Sequence, residues 1–167
     1  MQMRKARFPT TLGRLGGLFL LGAWAVVPAS SAHVPEAACE PSPGANREVV
    51  LAFYRTGLVG LQPRAAFERY VSADFIEHKH DVETGNREGT AAYLERLINS
   101  VPEPRWEILR TIAEGDHVFL HASFTPAPGA PAYAVADVFR LKDCRIVEHW
   151  DVVAAPPKEQ RNPNPRF

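Results

Sequence analysis

The 167-residue chain lacks the motifs of covalent catalysis and of phosphate binding. It has no glycine-rich phosphate loop, no serine nucleophile elbow and no reactive-thiolate motif. Its 19 Lys and Arg are matched by 19 Asp and Glu, and it has no long basic run, which disfavours nucleic-acid binding. With 46% hydrophobic and 23% charged residues, it is not a mainly disordered protein. Its apolar content is enough for one ordinary domain.

Residues 1–32 have the pattern of a secretory signal peptide. A basic opening precedes the apolar run of residues 15–27, and Pro28 and the small residues 30–32 follow it. The run is shorter than the about 20 apolar residues that span a membrane, although an N-terminal anchor is the alternative. We therefore expect export to the periplasm or the exterior. The mature chain would carry 15 basic and 19 acidic residues.

Export makes the two cysteines candidates for a disulfide. In an oxidising compartment two thiols commonly pair, and Cys39 and Cys144 are the only cysteines of the chain. A bridge would tie a proline-rich lead-in, residues 33–45, to a hairpin late in the chain. Two unpaired cysteines are the alternative, because sequence alone does not establish the geometry that a disulfide requires.

Three amphipathic helices are predicted before any long strand. Asn46 is placed to cap the first helix, Pro63 opens the second, and Gly85 and Asn86 turn the chain and cap the third. Between the second and third helices, residues 75–80 (FIEHKH) predict a short strand.

After Pro104 the apolar residues recur at every second position, which predicts four longer strands. The first contains Trp106, and the others cover residues 117–125, 133–141 and 145–153. Helices followed by antiparallel strands indicate an α+β domain over residues 46–156, with the helices on one face of a curved sheet. Trp106 and Trp150 are expected to pack between sheet and helices. Residues 157–167, rich in proline and charge, predict a flexible tail.

The last predicted hairpin carries the most informative polar groups. A three-residue loop at residues 142–144 would place Asp137 opposite His149, on the same face as Asp151. A two-residue loop would instead place Asp137 beside Trp150; we favour three residues. The apolar members of the face are Tyr133, Val135, Phe139, Val147 and Val153. An Asp137–His149 pair inside this apolar face would suit proton transfer near neutral pH, whereas an exposed ion pair at a sheet edge is the alternative.

The histidines also raise the question of a metal site. His78 and His80 lie two apart on FIEHKH and, with His149 and Asp151, offer imidazole and carboxylate ligands. Their spacing matches no specific metal motif, so we predict no metal. A metal-dependent enzyme is the least favoured interpretation.

The order of FIEHKH, AEGDHVFLHASF and AVADVFRLKDCRIVEHWDVV resembles the SnoaL-like branch of the NTF2-like superfamily, nearest to the group described as predicted SnoaL-like aldol-condensation enzymes. The likeness covers about residues 46–156. It implies a cone in which three N-terminal helices pack on a strongly bent antiparallel sheet and enclose an apolar pocket. Polyketide cyclases and ketosteroid isomerases of that superfamily act on small hydrophobic carbonyl compounds without a cofactor, and many other members have no demonstrated activity.

The resemblance also implies roles for individual residues. Asp137 falls where the isomerases keep an aspartic acid that donates to the substrate oxygen, and His78 falls where they place a carboxylate base. The chain departs from the group's usual His-Asn-Pro at His78-Lys79-His80 and from its glycine at Cys144. We predict His78, Asp137 and His149 as catalytic. The residues predicted to contact the ligand are Phe53, His80, His121, Tyr133, Val135, Phe139 and Asp151.

These observations lead to two functional hypotheses. The first is an exported domain that binds a small apolar carbonyl compound and acts on it as a cofactor-independent cyclase or isomerase-like lyase. The second is a binding module that uses the same pocket without chemistry, since both need apolar walls and a few polar anchors. The resemblance further implies a homodimer through the open sheet face, with Trp150 or Phe124 in the interface. We expect no nucleic-acid partner and no membrane span after removal of the signal peptide.

Overall fold

The computed structural model of the chain describes residues 39–167. The predicted signal peptide, residues 1–32, and most of the lead-in lie outside this part. The elements, in order, are α1 (Pro43–Tyr54), a π-helical turn (Arg55–Val59), α2 (Pro63–Tyr70), β1 (Val71–Glu77), α3 (Arg87–Ser100), β2 (Arg105–Glu114), β3 (His117–Thr125), β4 (Tyr133–Lys142) and β5 (Arg145–Ala154).

The helix starts follow local capping chemistry. Pro63 opens α2, and the Asn86 side chain caps α3 by accepting a hydrogen bond from the Gly89 amide at 2.9 Å, as predicted. The prediction that Asn46 caps α1 is wrong, because Ser42 does so. Asn46 lies inside the helix, 3% exposed, and donates from Nδ2 to the carbonyl of Gly115 at 3.2 Å. This contact holds α1 against the β2–β3 turn.

The five strands form one open sheet in the order β1-β5-β4-β3-β2. Four of them pair antiparallel, but β1 pairs with β5 in parallel. The sheet is therefore mixed, whereas the sequence predicted an antiparallel one. The predicted strand FIEHKH also extends too far, since β1 ends at Glu77. The three helices pack on one face of the sheet, which confirms the predicted α+β class.

The turn of the β4–β5 hairpin has two residues, so the prediction of a three-residue loop is wrong. Asp143 and Cys144 form the turn with φ of 49° and 57°, the positive values that a tight two-residue hairpin turn requires. Lys142 pairs with Arg145 on either side of it.

A β-bulge at Val147 then shifts the register of the same hairpin. Leu141 pairs with Ile146, but Arg140 pairs with Glu148, which leaves Val147 as an extra residue on β5. One extra residue exchanges the two faces of a strand. The bulge therefore reverses the effect of the shorter turn, and the inner-face residues of β4 and β5 remain together.

The predicted disulfide is confirmed. Cys39 and Cys144 are bonded, with their Cα atoms 6.1 Å apart and a sequence separation of 105. The bridge ties the segment before α1 to the tip of the β4–β5 hairpin.

An aromatic cluster fills the space between the helices and the inner face of the sheet. Phe53 of α1 contacts Phe67 of α2 and Phe139 of β4 edge to face, with ring centroids 5.2 and 5.8 Å apart. Trp106 is buried against Phe124, as expected for a core residue. Trp150, however, lies on the outer face of the sheet, where it stacks on His78.

The segment after β5 lies along the strand ends. Arg166 donates hydrogen bonds to the carbonyls of Ala132, Ala154 and Ala155 at 2.6 to 2.9 Å. Within residues 39–167, no helix is both long enough and apolar enough to cross a membrane.

Candidate functional site

A cavity of about 410 Å³ lies between the inner face of the sheet and the helices. This volume falls within the range of pockets that hold small organic molecules, roughly 300 to 1,000 Å³. Its walls are mostly apolar and aromatic: Phe53, Phe67, Phe75, Leu94, Trp106, Phe124, Tyr133, Val135 and Phe139 contribute to them. The polar lining residues are concentrated on β1, β4 and β5.

At the polar end of the cavity, the imidazole of His149 lies between two carboxylates. Its Nε2 is 3.2 Å from Oδ1 of Asp137, and its Nδ1 is 2.9 and 3.0 Å from the two carboxylate oxygens of Glu77. The Glu77 side chain is fully buried, and that of His149 is 14% exposed. Three strands supply this cluster, because β5 lies between β1 and β4 in the sheet.

The two carboxylates determine the protonation state of His149. Burial alone lowers the pKa of an imidazole, because it penalises the charged form. Hydrogen bonds to Asp137 and Glu77, with their negative charges, outweigh this effect and raise the pKa of His149 from 6.5 to about 10. His149 is therefore an imidazolium at neutral pH. It acts as a fixed positive charge there, and not as a proton acceptor.

A second ion pair continues from the first. Oε1 of Glu77 also accepts a hydrogen bond from the backbone amide of Lys79 at 2.9 Å. The Lys79 ammonium lies 2.9 Å from Oδ2 of Asp151 and 3.5 Å from Oδ2 of Asp81. Partial burial lowers the pKa of Lys79, but the hydrogen bond to Asp151 and its charge outweigh this, so the net shift is upward. Lys79 is therefore a cation bound to Asp151.

Two buried polar atoms at this end of the cavity, the hydroxyl of Tyr54 and Oδ2 of Asp137, have no well-aligned hydrogen bond in residues 39–167. Both residues line the cavity, and Asp137 is 4% exposed. Burial, and next the charge and the hydrogen-bonding oxygen of the adjacent Asp137 carboxylate, raise the pKa of Tyr54 well above its usual value, so the hydroxyl keeps its proton and lies against that carboxylate. A neutral donor and a carboxylate acceptor therefore face the same space, and no third group among the described residues satisfies them.

The structure brings most of the expected site residues together. Seven of them line the cavity: Phe53, Tyr133, Val135, Asp137, Phe139, His149 and Asp151. The expected contact between Asp137 and His149 is formed, but the prediction that they lie directly opposite each other is wrong: Asp137 pairs with Asp151 and His149 with Phe139, so the contact is diagonal. Val147 does not line the cavity, because it occupies the bulge.

His78 lies on the opposite face of the sheet, so the prediction that it lies in the pocket is wrong. It is 38% exposed, its Nε2 lies 2.8 Å from Oε1 of Glu148, and its ring stacks on Trp150. The reason is the alternation of β1, which directs Phe75 and Glu77 towards the cavity and the next residue away from it.

Two other histidines and Phe124 also differ from expectation. The side chain of His80 is 93% exposed, beyond the end of β1. His121 lies on the outer face, where its Nδ1 is 2.7 Å from Nη1 of Arg110. Phe124 lines the cavity, so it is not available to an interface on the outer face. No group of three or more His, Cys, Asp or Glu side chains in residues 39–167 is arranged to hold a metal ion.

Sequence reasoning did not identify Glu77, Lys79 and Tyr54 as site residues. Alternation could have indicated Glu77, because it lies two residues after the buried Phe75 on the same strand. Tyr54 is one of the buried residues of α1, where nothing in the sequence distinguishes it from an ordinary core residue. Lys79 has no comparable signal, because it follows the end of β1 and its direction depends on the loop.

The three helices, the mixed sheet and the pocket between them define the class of cone-shaped α+β folds that bind small molecules. The SnoaL-like domain family matches residues 50–149, which is more than half of the chain. The chain therefore belongs to the SnoaL-like family, and its fold is NTF2-like. No curated protein matches it.

Several solved structures share this fold at low sequence identity. TsrD from Streptomyces laurentii is 18% identical, with a TM-score of 0.57; the match covers 68% of this chain and 91% of that one. A candidate polyketide cyclase from Bacillus cereus is 21% identical, with a TM-score of 0.57 and coverage of 65% and 74%. A candidate SnoaL-like polyketide cyclase from Jannaschia is 22% identical, with a TM-score of 0.54 and coverage of 69% and 90%.

Proposed function

We propose that the cavity binds a small, largely apolar carbonyl compound and that Asp137 and Tyr54 catalyse proton transfer next to the carbonyl group, without a cofactor. The observation that carries this proposal is the adjacent pair of a neutral Tyr54 hydroxyl and the Asp137 carboxylate, whose Oδ2 no third group among the described residues satisfies, at the polar end of an apolar cavity. A proton donor and a proton acceptor that lie side by side in an apolar site can act on adjacent atoms of one ligand.

In this mechanism Asp137 is the proton acceptor. Its Oδ1 is held by the His149 imidazolium, which orients the carboxylate and leaves Oδ2 free. Oδ2 takes a proton from the carbon next to the carbonyl, and the electron pair of that C–H bond moves to the carbonyl oxygen. The Tyr54 hydroxyl donates a hydrogen bond to this oxygen as its negative charge develops. Asp137 therefore accepts a proton here, whereas the resemblance implied that it donates one and that His78 is the base.

The enolate has two outcomes, both of which conserve atoms and electrons. In a substrate whose C=C bond is conjugated with the enolate, Asp137 can return the proton to the far carbon of that conjugated system, which is an isomerisation. Alternatively, the enolate carbon forms a bond to a second carbonyl carbon, and the oxygen of that carbonyl takes the proton from Asp137, which is an aldol ring closure. The polyketide cyclase descriptions of two structural neighbours support the second outcome.

Proton exchange with solvent tests the proposal without knowledge of the natural ligand. We expect the full chain to accelerate deuterium incorporation into β-tetralone in D₂O by about 10²- to 10⁴-fold over buffer, measured by NMR. Asp137→Asn should reduce the rate to that of buffer. Glu148→Gln, on the outer face, is the matched control and should retain it. Binding of β-tetralone without exchange would reject catalysis in favour of the binding module.

We also propose that the protein is exported and that residues 1–32 are removed. The Cys39–Cys144 disulfide supports this, because disulfides persist in oxidising compartments. Mass spectrometry of the protein recovered from the periplasm or the medium should find a chain that begins at His33. A full-length protein retained in the cytoplasm would contradict the proposal.

We further propose a homodimer through the outer face of the sheet. Trp150, Val138, Phe119 and Ile112 form a row across four strands, and Ile112 is 65% exposed. An apolar row on an uncovered sheet face favours association. Sedimentation analysis should find a dimer that Ile112→Lys dissociates. A monomer at all concentrations would reject the proposal.

A further inference from the structure

The ion pairs of the cavity form one line of contacts whose two ends face each other. The line runs from Asp137 through His149 to Glu77, then through the backbone amide of Lys79, and from the Lys79 ammonium to Asp151, with every contact at 3.2 Å or less. Asp137 and Asp151 are register partners on β4 and β5, and both line the cavity. Carboxylates directly opposite on one face of a sheet repel each other.

The acidic residues of the cavity outnumber the basic ones. Glu77, Asp81, Asp137 and Asp151 line it, against His149 and Lys79. Each of the two cations already contacts two of these carboxylates. Oδ2 of Asp137, in a residue 4% exposed that lines the cavity, has no well-aligned hydrogen bond among the described residues and only the neutral Tyr54 hydroxyl beside it. No cation is therefore left to balance this carboxylate oxygen, and the excess of carboxylates indicates what charge a ligand of the cavity has.

We propose that Asp151 determines the charge specificity of the pocket, which takes apolar ligands that are neutral or positively charged and excludes carboxylates and phosphates. Asp151 binds the Lys79 ammonium, which also lies close to Asp81. Because this ammonium is already paired, it is not available to an anionic ligand. The aromatic walls act in the same direction, because ring faces attract cations. The inference rests on the proposed function only in placing the ligand in this cavity.

Three ligands with one tetralin frame test the charge preference of the full chain by calorimetry. They are neutral β-tetralone, protonated β-aminotetralin and tetralin β-carboxylate. We expect the amine to bind at least as tightly as the ketone and the carboxylate to bind at least about 100-fold more weakly, because like charges in a desolvated site repel strongly. Equal binding of the carboxylate, or no binding of either the ketone or the amine, would overturn the proposal.

Asp151→Asn tests the role of the single residue through a gain of binding. The substitution removes one negative charge and releases Lys79, so the affinity for the carboxylate should rise at least about tenfold relative to the affinity for the ketone. A cooperative urea denaturation transition shows that the variant is folded. Asp81→Asn is the matched control, because Asp81 is half-exposed and more distant from the ammonium, and its effect should be smaller. An unchanged carboxylate affinity in Asp151→Asn would assign the specificity to another residue and overturn the proposal.

The two proposals fail in different ways. The calorimetric measurements require binding but no chemistry, so absence of deuterium exchange leaves the charge preference in place. Conversely, exchange of β-tetralone that depends on Asp137, together with equal binding of all three ligands, would retain the proposed function and reject the charge specificity.

Discussion

Glu77 and His149 are register partners on the parallel strands β1 and β5, and both carboxylate oxygens of Glu77 lie within 3.0 Å of Nδ1 of the imidazole. Nδ1 therefore donates to Glu77, and Nε2 donates to Asp137 on the other side. An imidazole that donates from both nitrogens is a cation. Because β1 is parallel to β5, a carboxylate from the first strand of the chain reaches a histidine of the last.

The pKa of His149 makes stability depend on pH in the alkaline range. The pKa is about 10 in the folded protein against 6.5 for an ordinary histidine. The folded state binds the proton more tightly, so this stabilisation is complete below pH 6.5 and is lost as the pH rises through about 10. NMR should find the His149 resonances unchanged through neutral pH, and urea denaturation should show the alkaline loss. His149→Gln should lack that part of the loss, and titration near pH 6.5 would contradict the prediction.

Glu77→Gln should destabilise the protein more than any comparable change on the outer face. It leaves a buried imidazolium with one carboxylate in place of two, and breaking a buried ion pair costs about 3 kcal/mol of unfolding free energy. The pKa of His149 should fall as well. Glu148→Gln, which removes a carboxylate bound to Arg140 and His78 on the outer face, should cost about 1 kcal/mol or less. Urea denaturation measures both values, and equal losses would contradict the prediction.

Tyr54→Phe should separate stability from activity. The Tyr54 hydroxyl is buried with only the Asp137 carboxylate beside it and no well-aligned hydrogen bond, so its removal should change the unfolding free energy by about 1 kcal/mol or less. Deuterium exchange of β-tetralone should nevertheless fall by at least about tenfold, because the donor to the enolate oxygen is lost. A variant that is destabilised and retains full exchange would show that the hydroxyl has a structural role.

Loss of the disulfide should destabilise the fold through the unfolded state. The bridge closes a loop with a sequence separation of 105 residues, and removal of a native disulfide costs about 2 to 5 kcal/mol. Urea denaturation of Cys39→Ser/Cys144→Ser should give this loss, and the reduced wild-type protein should match the double variant. Identical midpoints for oxidised and reduced protein would contradict the prediction.

Local patterns were sufficient to predict much of the fold. Pro63 and Asn86 start their helices where capping preferences place them, because caps depend on neighbouring residues. Alternation along β4 and β5 predicted the inner-face residues of the cavity, including Asp137 and His149. The prediction that His78 faces the pocket is wrong by one residue, and one residue on a strand is the difference between its two faces.

The hairpin shows why a correct contact does not require correct local geometry. The actual turn of Asp143 and Cys144 is one residue shorter than predicted, and the bulge at Val147 adds one residue on β5. The two errors cancel in face, so Asp137 and His149 stay on one side of the sheet, but not in register, because Asp137 lies opposite Asp151 and His149 opposite Phe139. A bulge depends on how the strand packs against its neighbours, so alternation in one strand does not reveal it.

The sequence by itself determined the α+β class, the helix starts at Pro63 and Asn86 and the apolar face that carries Asp137 and His149. Only the tertiary structure decided that the two cysteines pair, that Glu77, and not His78, belongs to the site, that Lys79 neutralises Asp151 and that the Tyr54 hydroxyl lies against Asp137. The physical reason is that sequence periodicity reports which side of an element is buried, because burial repeats along one element. Ion pairs and unpartnered atoms depend on distances between elements far apart in the chain, and these are set only when β1 pairs with β5 and the helices pack on the sheet.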